Sequence, residues 1–150
     1  MVQSGETGAA YAPLQARGLP AGQKNPQEAY RRQKVLTASP MELILMLYDE
    51  CRKRLLLGQR AMARGEVEAA HNNLARAQDI LNELINCLDL TLSIGKELLD
   101  LYWFLWQEIG RADHEKSEKR VEDVLELIGQ MRETWQQVCE TQRGSVALED

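Results

Sequence analysis

Apolar side chains recur at steps of three and four residues from residue 40 onward, the spacing that places them on one face of an α-helix. Four such stripes predict four long helices, one between Ser39 and Gly65 and three more at about residues 66–88, 94–109 and 117–138. The predicted core positions are Leu43, Ile44, Leu47, Tyr48, Cys51 and Leu55 in the first helix, Val67, Ala70, Leu74, Ala77, Leu81, Leu84, Ile85 and Leu88 in the second, Leu98, Tyr102, Leu105 and Ile109 in the third, and Val121, Val124, Leu125, Ile128, Met131, Trp135 and Val138 in the fourth. Four apolar stripes imply one shared core.

The ends of these helices carry start and stop signals. Ser39, Pro40 and Glu42 have the sequence of a capping box, with a serine cap, a proline at the first helical position and a glutamate at the third. Gly65 is placed to end the first long helix in a left-handed conformation, and Gly110 is placed to close the third. No proline follows residue 40, so the strongest helix breaker is absent from the rest of the sequence.

The predicted connections are only a few residues long, which makes successive helices antiparallel. The expected fold is therefore all-α, an antiparallel up-down four-helix bundle with a short N-terminal helical segment. A coiled-coil dimer is the rival architecture, but it would need helices sustained over more heptads with charged flanking positions. Gly65 and Gly110 interrupt the pattern after a few turns.

The two ends of the chain differ from its middle. Residues 1–24 are rich in Gly, Ala, Gln and Pro, a composition that predicts a flexible tail. Asn25 and Pro26 then provide a capping side chain and a first helical position, which start a short helix. We expect the helical bundle to occupy residues 25–140 and a flexible C-terminal tail to occupy residues 141–150.

Composition and charge narrow the range of functions. At 150 residues, with 44% apolar and 27% charged side chains, the chain has the make-up of a single globular domain. A net charge of −5 argues against nucleic acid as the main ligand, since phosphate binding needs a clustered basic face. The one basic run, residues 52–54, is interpreted as a solvated flank of a helix.

Cysteine use and hydropathy indicate the compartment. Cys51, Cys87 and Cys139 are widely spaced and form no paired motif, so neither a disulfide framework nor a zinc site is expected. No apolar run reaches the roughly 18 residues needed to cross a bilayer, and the N-terminus lacks the segments of a signal peptide. We therefore expect a protein of the reducing cytosol without membrane insertion.

Residues that could carry catalysis or hold a cofactor are few. Helical bundles hold metal ions on paired Glu-x-x-His motifs, and Glu68 to His71 has that spacing. The other histidine, His114, follows Arg111 where the motif needs a glutamate, so the second half of such a site is missing and His71 is interpreted as a surface residue. No Gly-rich phosphate loop occurs either. The sequence predicts no enzyme and no cofactor, and a metal-binding or redox four-helix bundle is the alternative from another class.

Two helices are more apolar than one buried stripe requires. Residues 101–106 are six large apolar side chains in a row, and because consecutive helical residues point about 100° apart, some of them must lie away from the core. Residues 43–47 and 55–57 repeat this excess. One explanation is that another element, such as residues 25–38, covers the second apolar face. The other is that this face is a groove that binds a partner. The two are compatible if residues 25–38 cover the groove until a partner displaces them. A further alternative is a structural adaptor that self-associates through Trp103.

Several short motifs occur in a fixed order between Tyr30 and Trp135. They are Ala29-Tyr30, Val35-Leu36-Thr37-Ala38-Ser39-Pro40, Leu43-Ile44-Leu45-Met46-Leu47-Tyr48-Asp49, Arg76-Ala77-Gln78-Asp79-Ile80-Leu81-Asn82-Glu83-Leu84, Leu88-Asp89, Leu98, Leu101-Tyr102 and Trp135. In this order and spacing they resemble the FliS family of flagellar export chaperones. The chain departs from the family in its longer tail before residue 25, in Glu50 where a glycine is frequent, and in residues 90–95 where a Gly-Gly turn is usual.

The resemblance implies a cytosolic chaperone that wraps the disordered C-terminal segment of flagellin around its surface. Binding would prevent premature polymerisation and deliver the client to the flagellar type III export apparatus, with an export gate component as a further partner. The mechanism would be coupled folding and binding, which needs no cofactor. The chaperone itself is expected to be a monomer or a weak dimer.

The resemblance and the helical phase together select the partner-binding residues. The family's N-terminal tyrosine, which covers part of the binding surface in the free chaperone, corresponds to Tyr30, and Leu36 is its near neighbour. Helical phase selects five apolar side chains that lie off the core stripes. These predicted groove residues are Met46, Leu57, Leu101, Trp103 and Phe104.

Overall fold

The computed structural model describes residues 26–149, with side chains described for residues 26–141. The described residues form five helices, which are α1 (Pro26–Thr37), α2 (Pro40–Ala63), α3 (Val67–Asn86), α4 (Ser93–Glu115) and α5 (Glu118–Glu149). No strand occurs among these residues, so the predicted all-α class is confirmed. The predicted N-terminal tail and the cap at Asn25 lie outside the described residues.

The chain divides into two compact units, Met1–Ile44 and Leu45–Asp150, and the boundary falls inside α2. In the first unit, α1 has no buried residue. The start of α2 has the serine cap of the predicted capping box, because the Glu42 backbone N–H donates to the Ser39 hydroxyl oxygen at 3.2 Å. The Ser39 hydroxyl in turn donates to the Glu42 carboxylate at 3.2 Å. The helix start predicted from the sequence is therefore confirmed.

The second unit contains the rest of α2 together with α3, α4 and α5. Side-chain contacts between these helices pair Cys51 with Ala77, Arg54 with Asn73, His71 with Asp113, Gln78 with Trp106, Glu108 with Arg120, Asp49 with Arg132, and Gln59 with Glu122. For α2 with α3, α3 with α4 and α2 with α5, a later position on one helix meets an earlier position on the other. That is the contact order of antiparallel neighbours. The fourth pair, α4 and α5, is joined by only two residues, 116 and 117.

The two tight turns of this unit end their helices differently. Gly65 follows α2 with a φ of 72°, which is the left-handed conformation predicted for it. The prediction that Gly110 closes the third helix is wrong, because α4 continues to Glu115 and Lys116 takes the left-handed conformation with a φ of 53°. A Cβ at Gly110 would lie 3.3 Å from Gln78 Nε2, so this glycine serves the close approach of α3 and α4 and not a helix end.

The last helix is longer than its apolar stripe. The prediction ended it at Val138, whereas α5 runs to Glu149 through the residues assigned to the C-terminal tail. Residues 139–149 contain no proline and several good helix formers, so the backbone can stay helical where the core pattern has stopped. The flexibility of residues 141–150 stays a prediction.

The core consists mainly of the predicted stripes. All six predicted positions of the first long helix are buried, and so are the central positions of the other three stripes. Val67 and Val138 are 61% and 38% exposed, so their assignment to the core is wrong. Val67 is the first residue of α3, where the neighbouring helices no longer cover the side chain. Val138 lies at the edge of its stripe, and the next residue, Cys139, takes the core position at 5% exposure. Half-buried positions are Ile85, Leu88, Leu98 and Trp135.

A polar cluster lies at the centre of this core. The hydroxyl oxygens of Tyr48 and Tyr102 are 2.6 Å apart, and the two residues are 0% and 1% exposed. The side chain of Trp135 lies near both hydroxyls and counteracts part of the rise in their pKa that burial causes, so the cluster brings α2, α4 and α5 together. Within residues 26–141, no buried side-chain nitrogen or oxygen lacks a hydrogen-bond partner.

Candidate partner-binding surface

Large apolar side chains at consecutive positions of α4 point in different directions. Tyr102 and Leu105 are buried in the core. The two residues between them, Trp103 and Phe104, are 45% and 51% exposed. Consecutive helical residues are about 100° apart, so side chains between two core positions must leave the core. The prediction that part of this apolar run faces outward is confirmed.

Trp103 lies against Trp106 one turn later on the same helix. The two rings form an edge-to-face pair, with centroids 5.3 Å apart and planes at 80°. The backbone carbonyl of Trp106 accepts a hydrogen bond from Gln78 Nε2 of α3 at 3.0 Å. Trp103 therefore lies on the side of α4 that faces α3, next to the half-buried indole of Trp106.

Phe104 lies on a different side of α4. Glu108, four residues later, forms an ion pair with Arg120 of α5 at 2.9 Å. Residues four positions apart lie on the same side of a helix, so Phe104 is on the α5 side. A partner that contacts both Trp103 and Phe104 must pass over the outer surface of α4.

The remaining predicted groove residues of the second unit, Met46, Leu57 and Leu101, are half-buried. Arg54 contacts Asn73 of α3 at 3.4 Å, and Leu57 follows Arg54 by nearly one turn. Leu57 thus lies on the α3 side of α2, away from Phe104. The five groove residues are distributed over several helix surfaces, and helical phase alone could not show this because it describes one helix at a time.

The two predicted residues of the first unit are both exposed. Tyr30 and Leu36 on α1 are 69% and 46% exposed. The same helix carries Arg31, Arg32 and Lys34 against Glu28, so it is a basic element in an acidic chain. The role of Tyr30 and Leu36 in partner binding stays a prediction.

The connection between α3 and α4 exposes aliphatic side chains that sequence reasoning missed. Leu90, Leu92 and Ile94, here called the turn patch, are 46%, 52% and 56% exposed. The signal for them was present in the sequence, since apolar residues at alternate positions outside a helical stripe have no core to enter.

The opposite end of α3 and α4 has a polar site. An open depression of about 470 Å3 is lined by Val67, His71, Gly110, Asp113, His114 and Lys116. The Asp113 carboxylate accepts hydrogen bonds from His71 Nδ1 and Lys116 Nζ, each at 2.5 Å. Burial alone would raise the pKa of Asp113, but the hydrogen bonds from Lys116 and His71 outweigh it and lower that pKa. His71 therefore links two helices, a role that its sequence position did not reveal.

Two other features of the described residues bear on function. No three His, Cys, Asp or Glu side chains within residues 26–141 are grouped as ligands of a metal ion would be. No helix in the described part of the chain is long and apolar enough to cross a membrane.

The fold and this surface define the class of the protein. It is an all-helical domain whose buried stripes form a shared core, while large apolar side chains remain exposed on α2, α4 and the turn between α3 and α4. Concentrations of exposed apolar side chains usually mark sites that bind other proteins. Such a surface is typical of helical domains that bind other proteins.

Comparison with known proteins specifies the family. The family model described as Flagellar protein FliS matches residues 23–142, and the chain belongs to the FliS family. A flagellar secretion chaperone FliS of Bacillus subtilis (strain 168) is 28% identical over 120 residues, which cover 80% of this chain and 90% of that protein. The protein of the same name from Vibrio cholerae is 32% identical over 103 residues, covering 67% of this chain and 76% of its own. That from Salmonella typhimurium is 29% identical over 107 residues, covering 69% and 79%.

Family membership decides two of the predictions. The resemblance to FliS is confirmed. FliS is a family of chaperones and not of enzymes, so the prediction that the chain is not an enzyme is also confirmed. A role in flagellar export follows from the family, and a metal-binding or redox function finds no support in it.

Proposed function

We propose that this protein is a cytosolic export chaperone that binds the disordered C-terminal segment of flagellin. Binding prevents premature polymerisation of the client, and the complex is delivered to the flagellar type III export apparatus, where an export gate component is the second partner. Membership of a family of flagellar secretion chaperones supports the general role. The exposed apolar side chains of the second unit support the binding of a protein segment.

The observation that carries the proposal is the exposure of Trp103 and Phe104 beside a buried core. Aromatic side chains are enriched in protein interfaces, and Trp in particular at the positions that contribute most to affinity. Because these two residues lie on different sides of α4, an extended segment that passes around the helix fits them better than a compact ligand does. A segment that is disordered when free orders on binding, and the entropic cost of ordering limits affinity and keeps release possible.

The half-buried residues Met46, Leu57 and Leu101 are proposed as further contacts along the path of the tail. Each presents part of an apolar side chain at the surface, and Leu57 does so next to Leu56, which is 36% exposed. Tyr30 and Leu36 are proposed as partner contacts of the first unit on the strength of the family resemblance and of their exposure.

Titration calorimetry tests the proposal directly. The full-length chain is titrated with a peptide comprising about the last 50 residues of flagellin from the same organism, a length that matches a segment able to wrap a small bundle. We expect saturable one-to-one binding with a negative heat-capacity change, because apolar surface is buried. Trp103→Ala should weaken binding by about tenfold or more, as removal of a hot-spot aromatic does.

A matched control keeps this result specific. Val67 is 61% exposed at the far end of α3, so Val67→Ala removes exposed apolar surface away from the proposed path and should leave the affinity unchanged. Absence of binding by the folded wild-type chain would refute the proposal. Light scattering of the free chain decides the remaining alternative, since a stable dimer that Trp103→Ala dissociates would indicate a self-associating adaptor.

Function beyond binding needs a second assay. Flagellin polymerisation is followed by turbidity with and without an equimolar amount of the chaperone. We expect the chaperone to suppress assembly and Trp103→Ala to suppress it less. Equal suppression by both proteins would show that the chaperone does not need Trp103 on α4 to suppress flagellin assembly.

A further inference from the structure

The geometry of the α3–α4 connection points to a second contact site for the client tail. The inference, which rests on the proposed function, is that the turn patch of Leu90, Leu92 and Ile94 binds a tail segment carrying aliphatic side chains next to Lys or Arg. It concerns the part of this chain that departs from the usual turn of its family.

The turn patch is held by an ordered segment. The Asp89 carboxylate accepts hydrogen bonds from the Thr91 backbone N–H at 3.0 Å and from the Thr91 hydroxyl at 2.5 Å. The Leu92 N–H donates to the Asp89 carbonyl oxygen at 3.3 Å. A Cβ at Gly95 would lie 2.0 Å from that same carbonyl, so the chain passes where only glycine fits. A partner that binds a pre-ordered turn does not have to order it, which preserves affinity.

The apolar surface of the turn continues along α4. Ile94 is the second residue of α4, Leu101 lies two turns later, and Phe104 follows Leu101 by nearly one turn, so the three lie on one side of the helix. That side faces α5, as the contact between Glu108 and Arg120 shows. The turn patch therefore adjoins the surface that the proposed client already uses through Phe104.

An exposed valine of α5 extends the same surface. Arg120 faces α4, and Val138 follows it by about five full turns, which returns it to the α4 side of α5. The contact order of α4 and α5 places this late position of α5 beside the start of α4, where Ile94 lies. Val138 is 38% exposed, so this valine, which the sequence assigned to the core, is available to the turn patch instead.

The rim of this surface is acidic. Residues 89–100 contain the carboxylates of Asp89, Glu97 and Asp100 and the single amine of Lys96, all of them exposed. Charge complementarity across an interface therefore favours a partner segment with Lys or Arg beside its aliphatic residues. A second copy of the chain is disfavoured, because a two-fold interface would bring the same carboxylates against each other.

The test uses the calorimetric titration of the full-length chain with the flagellin C-terminal peptide. The patch variant carries Leu90→Ser, Leu92→Ser and Ile94→Ser, exposed positions that leave the core intact, and circular dichroism confirms its fold. Val67→Ser, at the other end of the bundle, is the matched apolar control. We expect the patch variant to bind about tenfold more weakly at unchanged stoichiometry, and the control to bind like the wild type.

A second variant tests the charge of the rim. Glu97→Lys with Asp100→Lys reverses two exposed carboxylates, and Glu68→Lys reverses one on the first turn of α3. We expect the first to weaken binding several-fold at low salt and less at high salt, because exposed charges are screened. Glu68→Lys should leave the affinity unchanged.

The outcomes separate this inference from the proposed function. If the wild-type chain does not bind the peptide, the proposed function fails and this inference fails with it. If the wild type binds and the patch variant binds equally well, the inference is wrong and the proposed function stands. A dimer that the patch variant dissociates, with peptide binding unchanged, would assign the patch to a second copy and overturn the inference.

Discussion

The hydroxyl oxygens of Tyr48 on α2 and Tyr102 on α4 lie 2.6 Å apart between helices that are not sequential in the chain. Their rings are tilted at 52° with centroids 6.5 Å apart, so the contact between the side chains runs through the polar tips as well as the rings. The side chain of Trp135 on α5 lies near both hydroxyls. One polar cluster therefore fixes the relative positions of three helices in a core that is otherwise apolar.

Replacing either tyrosine by phenylalanine removes this shared hydrogen bond. We expect Tyr48→Phe and Tyr102→Phe each to lower the free energy of unfolding by about 1–2 kcal/mol, because the remaining hydroxyl loses its closest partner. The double variant should lose less than the sum of the two, since the bond between the hydroxyls is removed only once. Urea denaturation followed by circular dichroism measures all three, and strict additivity would show that the hydroxyls do not interact.

The same pair predicts a dependence of stability on alkaline pH. Burial raises the pKa of Tyr48 and of Tyr102 above the ordinary value of 10.0. Above about pH 10 the folded state therefore binds more protons than the unfolded state, and stability falls as pH rises. We expect the stability advantage of the wild type over the double phenylalanine variant to shrink between about pH 9 and about pH 11. An advantage that stays constant over this range would contradict the burial of the hydroxyls.

Two glycines predict opposite effects of alanine. A Cβ at Gly95 would lie 2.0 Å from the backbone oxygen of Asp89, whereas a Cβ at Gly129 in α5 meets nothing within 4 Å. Gly95→Ala should lower the free energy of unfolding by about 2 kcal/mol or more, because the turn must shift. Gly129→Ala should raise it by about 0.5–1 kcal/mol, because alanine restricts the unfolded chain and favours the helix. Thermal unfolding of both variants checks the contrast, which a loss of stability in Gly129→Ala would contradict.

At position 116, which follows α4, we expect glycine to be more favourable for stability than alanine. Its φ of 53° is strained for a residue with a Cβ, while its side chain pairs with Asp113. Lys116→Gly and Lys116→Ala both remove the ion pair, so their difference isolates the backbone. We expect the glycine variant to be more stable than the alanine variant by about 1 kcal/mol in urea denaturation. Equal stabilities would show that the left-handed turn relaxes when the lysine is removed.

Two of the three cysteines, Cys51 and Cys87, are expected to differ in thiol reactivity. Cys51 is fully buried, its thiol points to the Ala77 carbonyl oxygen at 3.8 Å, and burial raises its pKa to about 12. Cys87 is half-buried. A chain with Cys51 as its sole cysteine should react with a disulfide reagent about 100-fold more slowly than one with Cys87 alone, because the thiolate is the reactive form. The difference should vanish in urea, and similar native rates would contradict the burial of Cys51.

The fold was predictable where local chemistry decides it. The serine cap at Ser39 and the left-handed Gly65 were both predicted from the identity of one or two residues and their spacing. Gly110 was misread because a glycine inside a helix can serve a neighbouring helix, here through Gln78, and that neighbour is invisible in a local pattern. Val67 was misread because the period of a stripe does not tell where the covering helices end.

The candidate surface was predictable only in part, for a similar reason. The exposure of Trp103 and Phe104 followed from counting apolar residues around one helix. Their separation onto the α3 and α5 sides depends on Gln78 and Arg120, which are distant in sequence. Leu90 and Leu92 of the turn patch escaped prediction because helical periodicity makes no statement about residues between helices, and Ile94 escaped it because it lies in the first turn of α4, off the core stripe.

The edge-to-face indole pair on α4 also gives the protein an optical signal of its own. Trp103 is in contact with water in the free chain, so any molecule that covers it will shift its fluorescence to shorter wavelength, and Trp106 beside it will share in the change. Trp135 lies near the two tyrosine hydroxyls of the core, so its fluorescence reports on unfolding. Tryptophan fluorescence of one unlabelled sample can thus report both the binding of a partner at Trp103 and the unfolding of the helices around Trp135.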